Sequence, residues 1–217
     1  TYRAAYLLEK GVPPWAILAI TFTNKAAREM RERINRLAGE AADDMWVMTF
    51  HALSARILRR DIEKLGYKRE FSIYDDDDQM TLIKRILKKL DISDKSYPPR
   101  AVRSVISDAK NHMLSPEEWL KDNPDFRSKP YYRAYCEYEK ELKENNALDF
   151  DDLILKTLEL LTEHPPVLEV YRRKFSYIMV DEYQDTNMAQ YMLVRTLAGD
   201  KKNVCVVGDD DQSIYGW

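Results

Sequence analysis

The sequence predicts an α/β fold, a parallel sheet flanked by helices and interrupted by an all-helical insertion. Three observations carry this reading. Short apolar runs at residues 16–22, 46–50, 177–180 and 203–207 alternate with stretches of helical periodicity. Two of these runs end abruptly in acid and amide groups: Tyr177-Ile178-Met179-Val180 leads into Asp181-Glu182, and Val204-Cys205-Val206-Val207 into Gly208-Asp209-Asp210-Asp211-Gln212. Between Asp75 and Asn146 only helical periodicity is visible, broken by prolines and polar residues.

In chain order, residues 2–10 read as a helix closed by Gly11 and the Pro13-Pro14 stop. Residues 16–22 form a strand. Asn24 is placed to cap a helix reaching about Leu37. A second strand, residues 46–50, passes directly into a helix over 51–65 that ends at Gly66. Residues 71–74 read as a short third strand. Helices follow at 79–90, 101–110, 116–120 and 131–144. The alternating pattern then resumes with helices at 149–161 and 167–174, strand 177–180, helix 187–197 and strand 203–207. The expected division is therefore residues 1–74 with 147–217 as the α/β part, and residues 75–146 as the insertion.

At 217 residues the chain buries a real core, and no window approaches a membrane span. Cys136 and Cys205 lie far apart and suggest no disulfide framework, so a reducing cytoplasm is expected, with Cys205 a small core residue. Net charge is −3, which argues against a generic nucleic-acid binder. Its distribution is uneven: residues 1–70 hold 13 Lys/Arg against 9 Asp/Glu, the remainder 21 against 28. Basic groups gather around Lys25, Arg28, Arg31, Arg33 and Arg36 and again at Arg56, Arg59 and Arg60, either as solvated helix faces or as a local phosphate-facing surface.

Two adjacent carboxylates after a buried strand suit phosphoryl transfer to water, which needs a divalent cation and a group that positions or deprotonates the water. In extended chain the two side chains point to opposite sides, so a division of labour follows: Asp181 toward Mg²⁺, Glu182 toward the attacking water. Gln212, a neutral amide past a strand end, suits contact with a terminal phosphate. Phe22, Phe50, His51, Tyr215 and Trp217 fall just past strand carboxyl ends, where open α/β sheets bind ligands and where rings can stack on single-stranded bases. Thr21, Thr23, Asn24, Thr49 and Ser54 offer neutral phosphate contacts. Other features read as structural. Asp75 to Asp78 cap the helix that follows, Tyr131, Tyr135, Tyr138 and Leu142 share one helix face as insertion core, and the three histidines have no zinc-like spacing. Glu141-Leu142-Lys143 matches a nuclease fragment, but it lies in a helix with no acidic strand beside it.

Five segments stand in order along the chain: Ile20-Thr21-Phe22-Thr23-Asn24-Lys25-Ala26-Ala27, Thr49-Phe50-His51, Leu148-Asp149-Phe150-Asp151-Asp152-Leu153, Val180-Asp181-Glu182-Tyr183-Gln184-Asp185-Thr186 and Gly208-Asp209-Asp210-Asp211-Gln212-Ser213-Ile214-Tyr215. In sequence and order they resemble successive motifs of UvrD/PcrA/Rep-like superfamily-1 DNA helicases, over essentially the whole chain. The resemblance implies a RecA-like sheet of the P-loop NTPase type, called subdomain 1A, with the insertion as subdomain 1B. It implies ATP and Mg²⁺ as cofactors, with Asp181 on Mg²⁺, Glu182 as catalytic base, and Gln212 contacting the γ-phosphate and coupling it to DNA. Phe22, Tyr215 and Trp217 would line pockets for single-stranded bases, with Thr23, Asn24, Thr49 and His51 along the DNA path. Single-stranded DNA, duplex junctions and repair or replication proteins would be the partners.

The family's Gly-rich phosphate loop is absent from these residues, as is its second RecA-like domain with the arginine fingers. The chain is thus expected to begin just after the phosphate cradle and, alone, to hydrolyse no ATP, because carboxylates cannot replace the N–H groups and positive charge that hold a triphosphate. Two other readings stand beside the helicase fragment: a non-catalytic binding or interaction module that kept the fold, and the motor part of a helicase–nuclease subunit.

Overall fold

The computed structural model describes residues 1–201 and 203–209. The chain divides into two compact units, residues 1–57 with 158 onwards, and residues 58–157.

The first unit is built on a parallel sheet in the order β2-β1-β5-β6, where β1 is Ile17–Thr21, β2 Trp46–Thr49, β5 Tyr177–Val180 and β6 Val204–Val206. Ile17, Leu18, Ala19 and Ile20 of β1 are wholly buried, as expected of a central parallel strand covered on both faces. On one face lie α1 (Tyr2–Glu9) and α2 (Asn24–Ala38). Their residues Ala4, Leu7, Ala27 and Ile34 pack with Ile17, Ala19 and Val47 of the sheet. On the other, Trp46 meets Tyr171 and Phe175 at the end of α9 (Pro165–Lys174), with Arg56 of α3 (Phe50–Asp61) 3.8 Å above its ring. Filling a core position with an apolar side chain of this size stabilises by about 1.5–3 kcal/mol. Helix α10 (Met188–Ala198) begins in a capping box between Asn187 and Gln190.

Helix α2 is capped by Thr23, whose hydroxyl accepts the Ala26 N–H, and Asn24 is its first helical residue. The expectation that Asn24 caps is corrected by one position; either side chain has the required acceptor, and the chain turns helical one residue earlier. A second correction concerns β6. It pairs only with β5 among the described residues. Val206 and Val207 are exposed and Cys205 is half-buried, so Cys205 is not a core residue.

In the second unit, α4 (Asp76–Lys89), α5 (Pro99–Asn111), α6 (Pro116–Asp122) and α7 (Lys129–Glu144) enclose a core of Leu82, Ile86, Ile106, Trp119, Tyr138 and Leu142 among others. Asp75 and Asp78 form a capping box on α4, which accounts for the acidic run at its start. Tyr135, Tyr138 and Leu142 are buried and Tyr131 packs against them, so the tyrosine face of α7 is core. Glu141 is engaged by Arg85 and Lys89. Gly66, in the left-handed region at φ 74°, closes the preceding turn where a side chain would be strained. The residue 71–74 strand exists as β3 (Ser72–Tyr74), but it belongs to a separate two-stranded parallel sheet with β4 (Ala147–Asp149). Strand β4 is not visible in the sequence pattern, which places Asp149 at the start of the next helix, because three residues are too few to show a period; that helix, α8, spans Phe150–Glu163.

Beneath β4 lies a buried ion cluster. Lys110 Nζ is 2.8 Å from Asp149 and 2.7 Å from both Asp152 and Glu139, and the Tyr138 hydroxyl donates to Asp149 at 3.0 Å. Burial works against the charge on Lys110, but Asp149, Asp152 and Glu139 hold its ammonium well above the usual lysine range. Burial and the adjacent Asp149 push the Asp152 carboxyl up, whereas Lys110 overcomes burial at Asp149 and holds it down. No helix among the described residues is long and apolar enough to cross a membrane.

Candidate functional site

Register sets the rim of the first unit's sheet. Thr21 stands opposite Thr49, Ile20 opposite Val180, and Val180 opposite Val206. The parallel strands therefore finish side by side, and the residues after them share one edge, as ligand sites in open α/β sheets require.

Asp181 is the first residue past β5, and its N–H donates to the Ile20 carbonyl at 3.0 Å. Its Oδ1 accepts the Glu182 N–H at 3.2 Å. Glu182 is not extended: it sits at φ 51°, ψ 43°, in the left-handed region. The premise of two extended carboxylates therefore fails, because the chain bends as it leaves β5 and Glu182 takes up the left-handed conformation. That conformation costs about 1–2 kcal/mol for an L-residue, and its occurrence beside a carboxylate pair marks a constrained turn. The turn is held from several sides. Asp185 N–H donates to the Glu182 carbonyl at 3.0 Å, Thr186 Oγ1 donates to the Tyr183 carbonyl, and Tyr183 N–H donates to the Val207 carbonyl at 2.9 Å.

Asp181 also borders a pocket of 630 Å³ lined by Arg3, Arg33, Arg36, Met179 and Val207 among others. Arg33 and Arg36 belong to the early basic group noted in the sequence. A half-exposed carboxylate beside three guanidinium-bearing residues combines one potential cation ligand with positive charge suited to an anion. No group of three or more His, Cys, Asp or Glu residues poised for a metal occurs among the described residues. A single carboxylate is nevertheless what a Mg²⁺ ion needs when substrate phosphates and waters complete its octahedron, so the donor set fits that ion.

The residues ascribed to a nucleic-acid track have diverse environments. Phe22 is half-buried and meets the buried Phe50 edge-on, with ring centroids 5.6 Å apart. Thr23 and Asn24 are exposed, though the Thr23 hydroxyl oxygen is engaged in the cap of α2. Thr49 is buried and its Oγ1 accepts the Ala52 N–H at 3.2 Å, capping α3. His51 is half-buried, and burial lowers its pKa below the ordinary value, favouring the neutral ring. Gln212, Tyr215 and Trp217 lie outside the described residues.

The sequence motifs include Gln184 and Gly208 without indicating a role for either. Gln184 Oε1 accepts the Asp209 N–H at 3.1 Å, and Gly208 is packed against that same amide. The signal was a neutral amide set among Asp181, Glu182 and Asp185, where a solvated acidic turn needs none.

The sequence is similar over its whole length to proteins named ATP-dependent DNA helicase PcrA. It is 54% identical to that of Bacillus subtilis (strain 168), 52% to that of Staphylococcus aureus (strain Mu50 / ATCC 700699) and 52% to that of Staphylococcus epidermidis, each alignment covering 100% of this chain and 30% of the relative. The chain thus spans about 30% of the length of these relatives. The family described as UvrD/REP helicase N-terminal domain matches residues 1–217. A parallel sheet whose strand ends gather Asp181-Glu182 and Gly208-Asp209 on one rim accords with that match, and the chain belongs to the UvrD/REP helicase N-terminal domain family.

Proposed function

We propose that this chain is a fragment of an ATP-dependent helicase or translocase that moves on single-stranded DNA in the cytoplasm, and that it carries part of the nucleotide-hydrolysing site of the intact protein. The observation that carries the reading is the carboxylate pair Asp181-Glu182 at the end of β5, on a rim shared with β1, β2 and β6 and beside the arginine-lined pocket. Residues 1–74 with 147–217 would form subdomain 1A and residues 75–146 subdomain 1B.

In the intact protein Asp181 would hold Mg²⁺, which when bound neutralises phosphate charge. Glu182 takes the proton of the attacking water, and its constrained turn fixes where the carboxylate begins. Arg3, Arg33 and Arg36 give the pocket positive charge that attracts a polyphosphate. Gln212 would sense the terminal phosphate. Phe22, Tyr215 and Trp217 would stack bases at about 1–3 kcal/mol each. Thr23, Asn24, Thr49 and His51 would border the strand, with His51 acting as a neutral ring rather than a cation. Duplex junctions and repair or replication proteins are the expected partners.

The deciding experiment measures single-stranded-DNA-stimulated ATP hydrolysis by the full-length protein. Glu182→Gln is expected to remove turnover while ATP and DNA binding persist. Turnover at the wild-type rate in that variant sinks the reading.

A further inference from the structure

The loops that follow β5 and β6 are joined by main-chain hydrogen bonds and, among the described residues, by the side chain of Gln184. Val207 N–H donates to the Val180 carbonyl and Tyr183 N–H to the Val207 carbonyl, both at 2.9 Å, so main-chain pairing continues past the ends of the two strands. Gln184 then adds a rung of its own, its Oε1 accepting the Asp209 N–H at 3.1 Å. Gly208 makes room for that rung. A Cβ there would lie 2.7 Å from Gln184 Oε1 and 3.2 Å from the Gln184 nitrogen. Gly208 is not among the glycines with positive φ, so close approach rather than backbone conformation requires glycine at this position.

The chemistry of the rung is also informative. Asp181, Glu182, Asp185 and Asp209 already crowd this edge. An amide supplies the acceptor without a further negative charge, which would raise the pKa values of the carboxylates around it. The same turn holds Glu182 in its left-handed conformation, so whatever anchors the turn also anchors that carboxylate.

We propose that Gln184 is a positioning residue. It locks the start of the segment running from Gly208 toward Gln212 against the turn bearing Asp181 and Glu182, so that a shift in either loop is felt by the other. The proposal rests on the hydrolytic reading above, in which the two loops act on the same phosphate. A reacting group displaced by a fraction of an ångström loses much of its catalytic effect, which is the lever such a tie controls.

The test uses the full-length protein and DNA-stimulated ATP hydrolysis. Gln184→Met keeps the side-chain length and removes the acceptor. It is expected to lower kcat roughly tenfold while KM for ATP stays within about twofold. Gly208→Ala, which evicts the amide, should give a similar loss, and the double variant should fall no further than either single one. Amide exchange at Asp209 should quicken in Gln184→Met. An unchanged kcat in both single variants, or additive losses, overturns the coupling while leaving the hydrolytic reading intact, provided Glu182→Gln abolishes turnover. If Glu182→Gln turns over normally, the hydrolytic reading fails by itself, and exchange at Asp209 still decides the tie: unaltered protection in Gln184→Met overturns it.

Discussion

Lys110 and Asp149 form an ion pair 2.8 Å long with side chains that are 1% and 2% exposed, deep in the helical unit. Asp152 and Glu139 share the same ammonium, so one buried cation answers three carboxylates. Its removal leaves buried charge without compensation. Lys110→Met is expected to cost about 3–5 kcal/mol. The sign of the pH dependence follows from the carboxylates that remain. Without the lysine, burial raises the Asp149 and Asp152 carboxyls above their unfolded values, so the native state binds protons that the unfolded chain releases. The deficit of Lys110→Met should therefore shrink as pH falls from neutrality toward the ordinary carboxylate range. Denaturant unfolding of both proteins across that range checks it, and a deficit that widens on acidification contradicts the electrostatic account.

The left-handed backbone at Glu182 makes an unusual order of stabilities. Alanine normally outranks glycine in folded chain, but at positive φ the Cβ is the liability. Glu182→Gly is expected to be more stable than Glu182→Ala by about 1 kcal/mol, with both devoid of hydrolytic activity in the full-length protein. Paired unfolding curves and turnover assays supply the measurement. An alanine variant that proves the more stable places Glu182 outside the left-handed region.

His51 brings a pH effect of opposite sense to that of the Lys110 variant. Burial lowers its pKa below the ordinary 6.5, so below that value the unfolded chain binds a proton that the folded chain resists. Stability contributed by a neutral His51 is present above the ordinary value and diminishes as pH falls beneath it. Glutamine at this position cannot titrate. The stability of wild type relative to His51→Gln should therefore decline on acidification below about pH 6.5, and a flat difference would remove burial as the cause.

Much of this structure was legible in the sequence because burial leaves a direct trace. The strands of the main sheet are apolar runs bounded by turn residues. The tyrosine face of α7 recurs at helical spacing, and the acidic run at Asp75 is the capping box of α4. What escaped reading depends on neighbours. Val204 to Val207 has the same pattern whether its strand lies inside a sheet or at its edge, so the exposure of Val206 and Val207 was hidden. Strand β4 is too short to display alternation, and its partner β3 lies far away in sequence. At the site, the chemistry of Asp181 and Glu182 followed from residue type, but the bend at Glu182 did not, since glutamate carries no left-handed signature. The contact between Gln184 and Asp209 joins two strand ends that only the sheet order brings together.

The parallel register has a consequence for how this molecule tolerates change in chain length. Each strand of the rim is aligned with its neighbour residue by residue, Ile20 with Val180 and Val180 with Val206. An inserted residue in an exposed loop is absorbed locally, because loop length enters the free energy only logarithmically. One inserted residue within β1 or β5 reverses which face each later side chain meets and moves Asp181 off the Ile20 carbonyl. Chain length can therefore drift in the exposed connections, while the count of residues within each strand works as the ruler by which the site is assembled.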